Sequence, residues 1–131
     1  MKKVKQIIAG KAHYNNIVSP SDNLLNALSI MKKEDASFAI VMDHERYIGI
    51  IGEKDYSQKV ILNGAHPDKL SVKDLLSTVY PVIDADDNTD SCIKMMSCYK
   101  LHYLPVFDGF NFIGVVTEYD LLEEVAREKN S

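Results

Sequence analysis

Apolar positions recur with a helical period in two separate segments of the chain. The spacing i, i+3, i+4, i+7 is typical of an amphipathic helix with one buried face. Asp22 and Asp87 come just before the two stripes and are acidic residues suited to helix starts, so we expect a helix to begin near each of them. The first stripe comprises Leu24, Ala27, Leu28 and Met31, and the second comprises Thr89, Cys92, Ile93 and Met96.

Each of these helices is followed by two stretches whose composition favours β-strands. SFAIVMD and YIGII flank the polar residues HER, and HYLPVFD and FIGVV flank GFN, so two strand–turn–strand hairpins are predicted. A helix is predicted after each hairpin, the first over EKDYSQKVILNG with Gly64 as its C-cap, the second over EYDLLEEVAREKN. Upstream of each unit, an amphipathic stretch (VKQII or SVKDLL) leads into a short extended piece, near residues 17–18 or 81–83.

The two halves of the chain are copies of one unit. A shift of 65 residues aligns residues 18–55 with residues 83–120 without a gap. Each unit has the order β-α-β-β-α, and neither copy, at roughly 60 residues, is large enough to bury a good core alone. We therefore predict an α+β fold in which two repeats, residues 1–64 and 65–131, pack as one module with pseudo-two-fold symmetry.

Composition and charge narrow the function classes. Of the 131 residues, 46% are hydrophobic and 26% are charged, which is the profile of a globular protein, and the net charge is −4. This balance argues against binding to a nucleic-acid backbone, which needs a basic face. The sequence has no apolar run of 18 residues and no signal peptide, so we expect no membrane insertion and a cytoplasmic location.

No catalytic or metal-binding constellation stands out. Cys92 and Cys98 match no metal spacing and are expected to be reduced thiols, with Cys92 on the core side. His13, His44 and His66 are scattered among predicted loops, without partners that converge on a metal or on a reacting group. We therefore predict no catalytic residue and no metal site.

One short motif occupies the same place in both copies. GIIGEKD covers residues 49–55 and GVVTEYD covers residues 114–120, so Gly52 stands where the second copy has Thr117. One interpretation is structural: Thr117 caps a helix, and Asp120 completes a capping box. The other is functional: a helix N-terminus attracts a phosphate, a Thr hydroxyl can donate to it, and a carboxylate can accept both hydroxyls of a ribose. These residues alone leave both interpretations open.

With this motif in register inside the repeat, and with LPVFD at residues 104–108, the chain resembles a tandem pair of cystathionine-β-synthase (CBS) domains. Residues 52–64 also look like a helix of small stand-alone CBS-pair proteins. The resemblance implies a regulatory ligand-binding module rather than an enzyme, with no required cofactor. It implies that AMP, ADP, ATP, NAD, S-adenosylmethionine or cyclic di-AMP binds in two clefts between packed sheets. It further implies a homodimer that signals to an unidentified protein. The alternative is a ligand-independent dimeric scaffold for protein interactions.

The resemblance also assigns candidate ligand-binding residues to each cleft, although core packing is the better interpretation for the branched aliphatic ones. In the second cleft they are Gly114, Thr117 and Asp120, together with Pro81, Val82, Ile83, His102, Tyr103, Leu104 and Pro105. In the first, weaker cleft they are Gly49, Gly52 and Asp55, together with Ile17, Val18, Ser37, Phe38, Ala39 and Ile40.

The sequence departs from the family pattern at positions that touch phosphates. Ser37 and Phe38 cannot hold a phosphate by charge, and Gln58 stands where relatives have Arg. In the second copy His102 can meet a phosphate when it is protonated. A ligand with few phosphates, AMP above ATP, is therefore predicted, with the first cleft weaker, altered or empty.

Overall fold

The computed structural model describes residues 2–11, 14–77 and 80–130 and confirms the predicted α+β class. Helix α1 (Val4–Ala9) comes before the first repeat. Strand β1 pairs in parallel with β2, and β2 pairs antiparallel with β3, so the predicted hairpin is confirmed. The elements of the first repeat are β1 (Ile17–Val18), α2 (Leu24–Lys33), β2 (Phe38–Asp43), β3 (Arg46–Gly52) and α3 (Glu53–Tyr56).

The second repeat has the same order and the same pairing. A parallel pair, β4 and β5, continues into an antiparallel pair, β5 and β6, which gives a second three-stranded sheet. Both hairpins carry a register shift at the same place, after Val41 in one and after Val106 in the other. The elements are β4 (Ile83–Asp84), α4 (Thr89–Tyr99), β5 (Tyr103–Asp108), β6 (Asn111–Thr117) and α5 (Glu118–Lys129).

The two central helices begin near Asp22 and Asp87, as expected, but neither aspartate is the capping residue. Asn23 and Asn88 are the N-caps, because their side chains accept the backbone N–H of Leu25 at 2.8 Å and of Ser91 at 3.0 Å. Asp22 closes the preceding turn instead, since its carboxylate accepts the N–H of Ser19 at 2.8 Å. The carboxylate that the sequence pattern assigned to the helix start therefore bonds back to the turn before the cap.

Three predicted elements are shorter than expected. The helix predicted over residues 53–64 is α-helical only in α3 and continues as one π-helical turn, Ser57–Ile61, which places Val60 in the core at 1% exposure. The C-cap of this turn is Leu62 rather than the predicted Gly64, which lies two residues further on with φ +69°. The stretch SVKDLL forms a single 3₁₀ turn, Val72–Asp74, and the extended piece expected at residues 81–83 begins only at Ile83.

The amphipathic stretch upstream of each copy packs with the sheet of the other copy. The Val4 N–H donates to the Asp87 carbonyl at 2.8 Å, and the Val72 N–H donates to the Asp22 carbonyl at 2.9 Å, so the same bond forms twice with the partners exchanged. The compact units are consequently Met1–Ala12 with Pro81–Ser131, and His13–Tyr80. The predicted domain bounds, residues 1–64 and 65–131, delimit the two sequence repeats rather than the compact units. They remain a prediction.

Each compact unit has its own core, which holds one upstream stretch, one sheet and the helical stripe of that repeat. Cys92 lies in the second core, and burial, with Asp87 nearby, raises the pKa of its thiol to about 12, whereas Cys98 is exposed. The first core comprises Val18, Leu24, Ala27, Met31, Ala39, Val41, Ile51, Val60, Val72 and Leu75. The second comprises Val4, Ile83, Ala85, Cys92, Met96, Leu104, Val106, Val116 and Leu121.

Candidate functional site

The second motif (residues 114–120) forms the junction where β6 ends and α5 begins. The Thr117 hydroxyl accepts the Asp120 N–H at 3.2 Å, and the Asp120 carboxylate accepts the Thr117 N–H at 2.8 Å. This is the capping box that the structural interpretation predicts. The Thr117 hydroxyl accepts in this bond and keeps its own hydrogen as a donor.

A lysine from the N-terminal segment reaches the motif carboxylate. Lys11 Nζ lies 2.7 Å from Oδ2 of Asp120 and donates to the Val115 carbonyl at 3.0 Å. The Lys11 side chain is 21% exposed and that of Asp120 is 14% exposed, so the ion pair is largely shielded from water. Sequence reasoning missed Lys11, because it lies 109 positions from Asp120 in a segment that no motif marks.

An imidazole from the residue before β5 lies beside a second carboxylate, which belongs to the motif itself. His102 Nδ1 lies 2.7 Å from Glu118 Oε2, and the His102 carbonyl accepts the Glu118 N–H at 2.8 Å. Both side chains are exposed. Tyr103 stands opposite Thr117 in the hairpin register. The side chain next to Glu118 belongs to Tyr119, whose hydroxyl pKa is raised by a hydrogen bond to Glu123.

The apolar residues predicted for the second site divide between the core and the surface. Leu104 and Ile83 are buried at 0% and 1% exposure, which agrees with core packing. Pro105 is also buried and pairs with Val115 across the hairpin. Pro81 is half-buried, whereas Val82 is exposed.

The first motif (residues 49–55) has the same junction with fewer polar groups. Gly52 is the N-cap of α3 and has no side chain, so only half of a capping box forms, in which the Asp55 carboxylate accepts the Gly52 N–H at 2.8 Å. Lys59 Nζ lies 3.9 Å from Asp55 Oδ1 and donates to the Leu75 carbonyl at 2.8 Å. The motif carboxylate of each copy therefore lies near a lysine that also binds a backbone carbonyl.

The two motif glycines are required for different structural reasons. A Cβ on Gly49 would lie 2.9 Å from Cδ2 of Leu76. The absence of a side chain at Gly49 therefore leaves room for Leu76, which belongs to the same compact unit. Gly114 has φ +152°, a backbone conformation that favours glycine. Gly49 pairs with Val41 and Gly114 with Val106, next to the register shift of each hairpin.

The remaining residues predicted for the first site are mostly core. Ser37 is exposed, and its carbonyl accepts the Glu53 N–H at 3.1 Å, which repeats the bond between Glu118 and His102. Ile17 is 45% exposed. The buried ones are Val18, Phe38, Ala39 and Ile40.

The described residues contain neither a metal-binding cluster nor a membrane-spanning helix. Within residues 2–11, 14–77 and 80–130, no group of three His, Cys, Asp or Glu side chains is arranged to hold a metal ion. In the same ranges, no helix has the length and apolar character needed to cross a membrane.

A family profile for the CBS domain matches residues 11–61 and again residues 72–127. The chain belongs to the CBS domain family. The two matches agree with the two repeats and confirm the tandem pair that the sequence resembles. CBS pairs are regulatory modules. A signal-transduction protein with CBS domains from Burkholderia ambifaria is 25% identical to this CBS pair. Its structure has a TM-score of 0.85, over 95% of this chain and 93% of that one.

Other CBS proteins resemble the chain over most of its length. The CBS domain structure of NE2398 is 26% identical, with a TM-score of 0.87 over 96% of this chain and 99% of that one. An uncharacterized protein of Methanocaldococcus jannaschii is 28% identical over 82% of this chain and 59% of its own length. This chain therefore spans about six tenths of the length of that relative.

Adenosine compounds are bound in one of the structural neighbours. The CBS domain pair of protein MJ0100, in complex with 5′-methylthioadenosine and S-adenosylmethionine, is 20% identical. Its TM-score is 0.78, over 97% of this chain and 98% of that one. At this identity the likeness shows the fold alone.

Proposed function

We propose that this CBS pair is a regulatory module that binds an adenosine-containing ligand, AMP above the others, at its second motif. The position of the Asp120 carboxylate carries the proposal. Its Oδ2 is held at the start of α5 by the Thr117 N–H at 2.8 Å, and its Oδ1 accepts no hydrogen bond from any described residue. The side chain is 14% exposed, so a ribose that reaches it meets a fixed and largely desolvated acceptor.

The surroundings of Asp120 suit a nucleoside phosphate. The N-terminus of α5, a helix of 12 residues, carries the positive end of the helix dipole. The Thr117 hydroxyl can donate to a ribose or phosphate oxygen, and His102 lies at the edge of the same junction. The protein MJ0100 holds two adenosine compounds in the same fold, which makes adenosine ligands the class to test first.

The balance of charge near the start of α5 favours one phosphate over three. Among the described residues, Lys11 and, when protonated, His102 are two cations there, and each lies 2.7 Å from a carboxylate, that of Asp120 or of Glu118. A triphosphate would bring three or more negative charges to a place where these two cations already pair with carboxylates. We therefore rank AMP above ADP and ATP, with NAD, S-adenosylmethionine and cyclic di-AMP as further candidates.

The first motif is proposed as the weaker site. Gly52 lacks the hydroxyl that Thr117 provides, and α3 is only four residues long, so its dipole is small. Asp55 faces Lys59 at 3.9 Å, while Ser37 and Phe38 bring no charge for a phosphate.

The alternative proposal is a ligand-independent scaffold for protein interactions. It is favoured by the capping box, which accounts for Thr117 and Asp120 without any ligand. An apolar cavity of about 410 Å³ lies between α4 and α5, and Ile93 and Leu122 at its rim are 42% and 64% exposed. A homodimer and an unidentified regulated protein are proposals under either function, and neither requires catalysis.

A ligand panel tests the two proposals against each other. Thermal unfolding of the purified protein is measured with AMP, ADP, ATP, NAD, S-adenosylmethionine and cyclic di-AMP. A ligand that binds only the folded state at a hundredfold excess over Kd adds about 2.7 kcal/mol to the free energy of unfolding, which raises Tm by several degrees. A higher Tm with AMP supports the adenosine site. An unchanged Tm with every member of the panel contradicts it and favours the ligand-independent scaffold.

A further inference from the structure

We infer that Lys11 makes the second motif select anionic adenosine ligands over uncharged and cationic ones. This inference rests on the proposed function, because it concerns the site at Asp120. Its starting point is the ion pair in which Lys11 Nζ lies 2.7 Å from Asp120 Oδ2. A ligand that uses the carboxylate must either accommodate this lysine or move it.

The acceptor sites of the carboxylate decide between these outcomes. A cis-diol of a ribose donates two hydroxyls, one to each oxygen of a carboxylate that binds it in the bidentate manner. Each oxygen has about two acceptor positions, and those of Asp120 Oδ2 already receive the Thr117 N–H at 2.8 Å and Lys11 Nζ at 2.7 Å. The Thr117 N–H is fixed by the helix start, whereas the ammonium ends a flexible side chain. The diol therefore takes the place of Lys11.

The displaced ammonium loses the charge of Asp120, although the Val115 carbonyl is a further acceptor for it, so a new anion would stabilise it. Its side chain is only 21% exposed, and an ammonium that loses its carboxylate in such surroundings carries a desolvation penalty. A 5′-phosphate on the same ligand offers a replacement partner. A nucleoside without a phosphate offers none, and a sulfonium such as that of S-adenosylmethionine adds a second positive charge.

The other two cations that the described structure places at the cavity beside Asp120 pair with carboxylates other than that of Asp120. Lys11 and Asp120 line a cavity of about 210 Å³ that also contains Lys2 and Arg127. Lys2 pairs with Glu124 at 3.4 Å, and Arg127 pairs with Glu123 at 3.4 Å. Of the three cations that the described structure places at this cavity, Lys11 is thus the one whose carboxylate the proposed ligand would take.

Charge-removing variants of Lys11 test this inference through the ratio of two affinities. AMP and adenosine are titrated calorimetrically into the wild type and into Lys11→Met, which removes the charge and keeps the length of the side chain. We expect the wild type to prefer AMP by at least about tenfold. In Lys11→Met, adenosine binds more tightly because its competitor is gone, AMP binds more weakly, and the preference falls at least about tenfold.

Two further variants separate the charge from general effects on the N-terminal segment. Lys11→Arg keeps the cation and should keep the preference for AMP. Lys5→Met removes a lysine of the same segment that pairs with Asp86 at 2.9 Å, away from Asp120, and should also keep it. Lys11→Gln, which retains a donor for the Val115 carbonyl, repeats the measurement if the methionine variant does not fold.

The outcomes distinguish this inference from the function on which it rests. A preference for AMP that is unchanged within about twofold in the Lys11 charge-removing variants overturns the inference and leaves the adenosine site standing. Absence of binding of both AMP and adenosine to the wild type and to Lys11→Met overturns the proposed function, and the inference with it.

Discussion

The substitution Thr117→Ala should lower the free energy of unfolding by about 1 kcal/mol. It removes the hydroxyl that accepts the Asp120 N–H and leaves that N–H without its side-chain partner at the start of α5. The lost bond is 3.2 Å long, at the long end of the usual range, and Thr117 is only half-buried, so water can replace part of it. For these reasons we place the loss at about 1 rather than 2 kcal/mol, within the range for N-cap residues.

Urea unfolding followed by circular dichroism at 222 nm measures this loss. With a slope of about 1.5 kcal/mol per molar urea, a loss of 1 kcal/mol lowers the midpoint by about 0.7 M at unchanged slope. The corresponding fall in Tm is about 3–5 °C for a chain of this size. Thr117→Ser is the matched control, because it keeps the accepting oxygen and should lose less than about 0.5 kcal/mol.

Two results would refute this reasoning. If Thr117→Ala unfolds at the same urea concentration as Thr117→Ser, the hydroxyl does not stabilise the start of α5. If both variants lose 1 kcal/mol, the methyl group that they both lack carries the stability, and the capping box contributes nothing measurable.

Three further predictions address the rest of the fold. Cys98 should react rapidly with a thiol reagent in the native protein, while Cys92 should react only on unfolding, because burial raises its pKa to about 12; two equally fast thiols would contradict this. Gly114→Ala should cost about 1–3 kcal/mol in urea unfolding because φ is +152°, whereas Gly10→Ala, at φ −85°, should cost little; equal losses would refute the backbone argument. Hydrogen bonds hold the pKa of Asp74 below 3.8, so its stabilisation is complete near pH 7 and is lost as the pH falls through the lowered pKa. The urea midpoints of wild type and Asp74→Asn should therefore converge as the pH is lowered below 3.8, and a constant gap would contradict this.

The element order could be predicted from the sequence because it depends on local patterns. The helical stripes, the hairpins and the repeat are all encoded by residues close together in the chain, and each is present in the structure. The same patterns did not identify the capping residue of each helix. Asp and Asn are both good caps, and only the three-dimensional turn decides that Asp22 bonds to Ser19 while Asn23 caps α2.

The exchange of the upstream stretches could not be predicted, since it depends on contacts between distant residues. Val4 and Val72 make equivalent hydrogen bonds in the two compact units, so local sequence would be satisfied by either arrangement. The same limit hid Lys11, a basic residue in an unremarkable segment until the fold of α1 brings it to Asp120. Long-range ion pairs of this kind leave no periodic signal in one sequence.

The difference between Thr117 and Gly52 changes the hydrogen bonds at the helix start of each motif. In the second copy the hydroxyl completes a capping box on a helix of 12 residues, and in the first copy the missing side chain leaves half of that box on a helix of four. Both carboxylates remain, and both lie near a lysine. We expect two sites of unequal strength.

Calorimetric titration of AMP into the wild type, Asp120→Asn and Asp55→Asn tests the central claim most directly. Asparagine keeps an oxygen to accept the backbone N–H of the capping box and removes the carboxylate charge, so the fold is preserved while the ribose acceptor is weakened. We predict that Asp120→Asn loses most of the AMP affinity of the wild type and that Asp55→Asn loses much less. Wild-type affinity in Asp120→Asn would contradict the account, and a larger loss in Asp55→Asn would place the stronger site at the first motif.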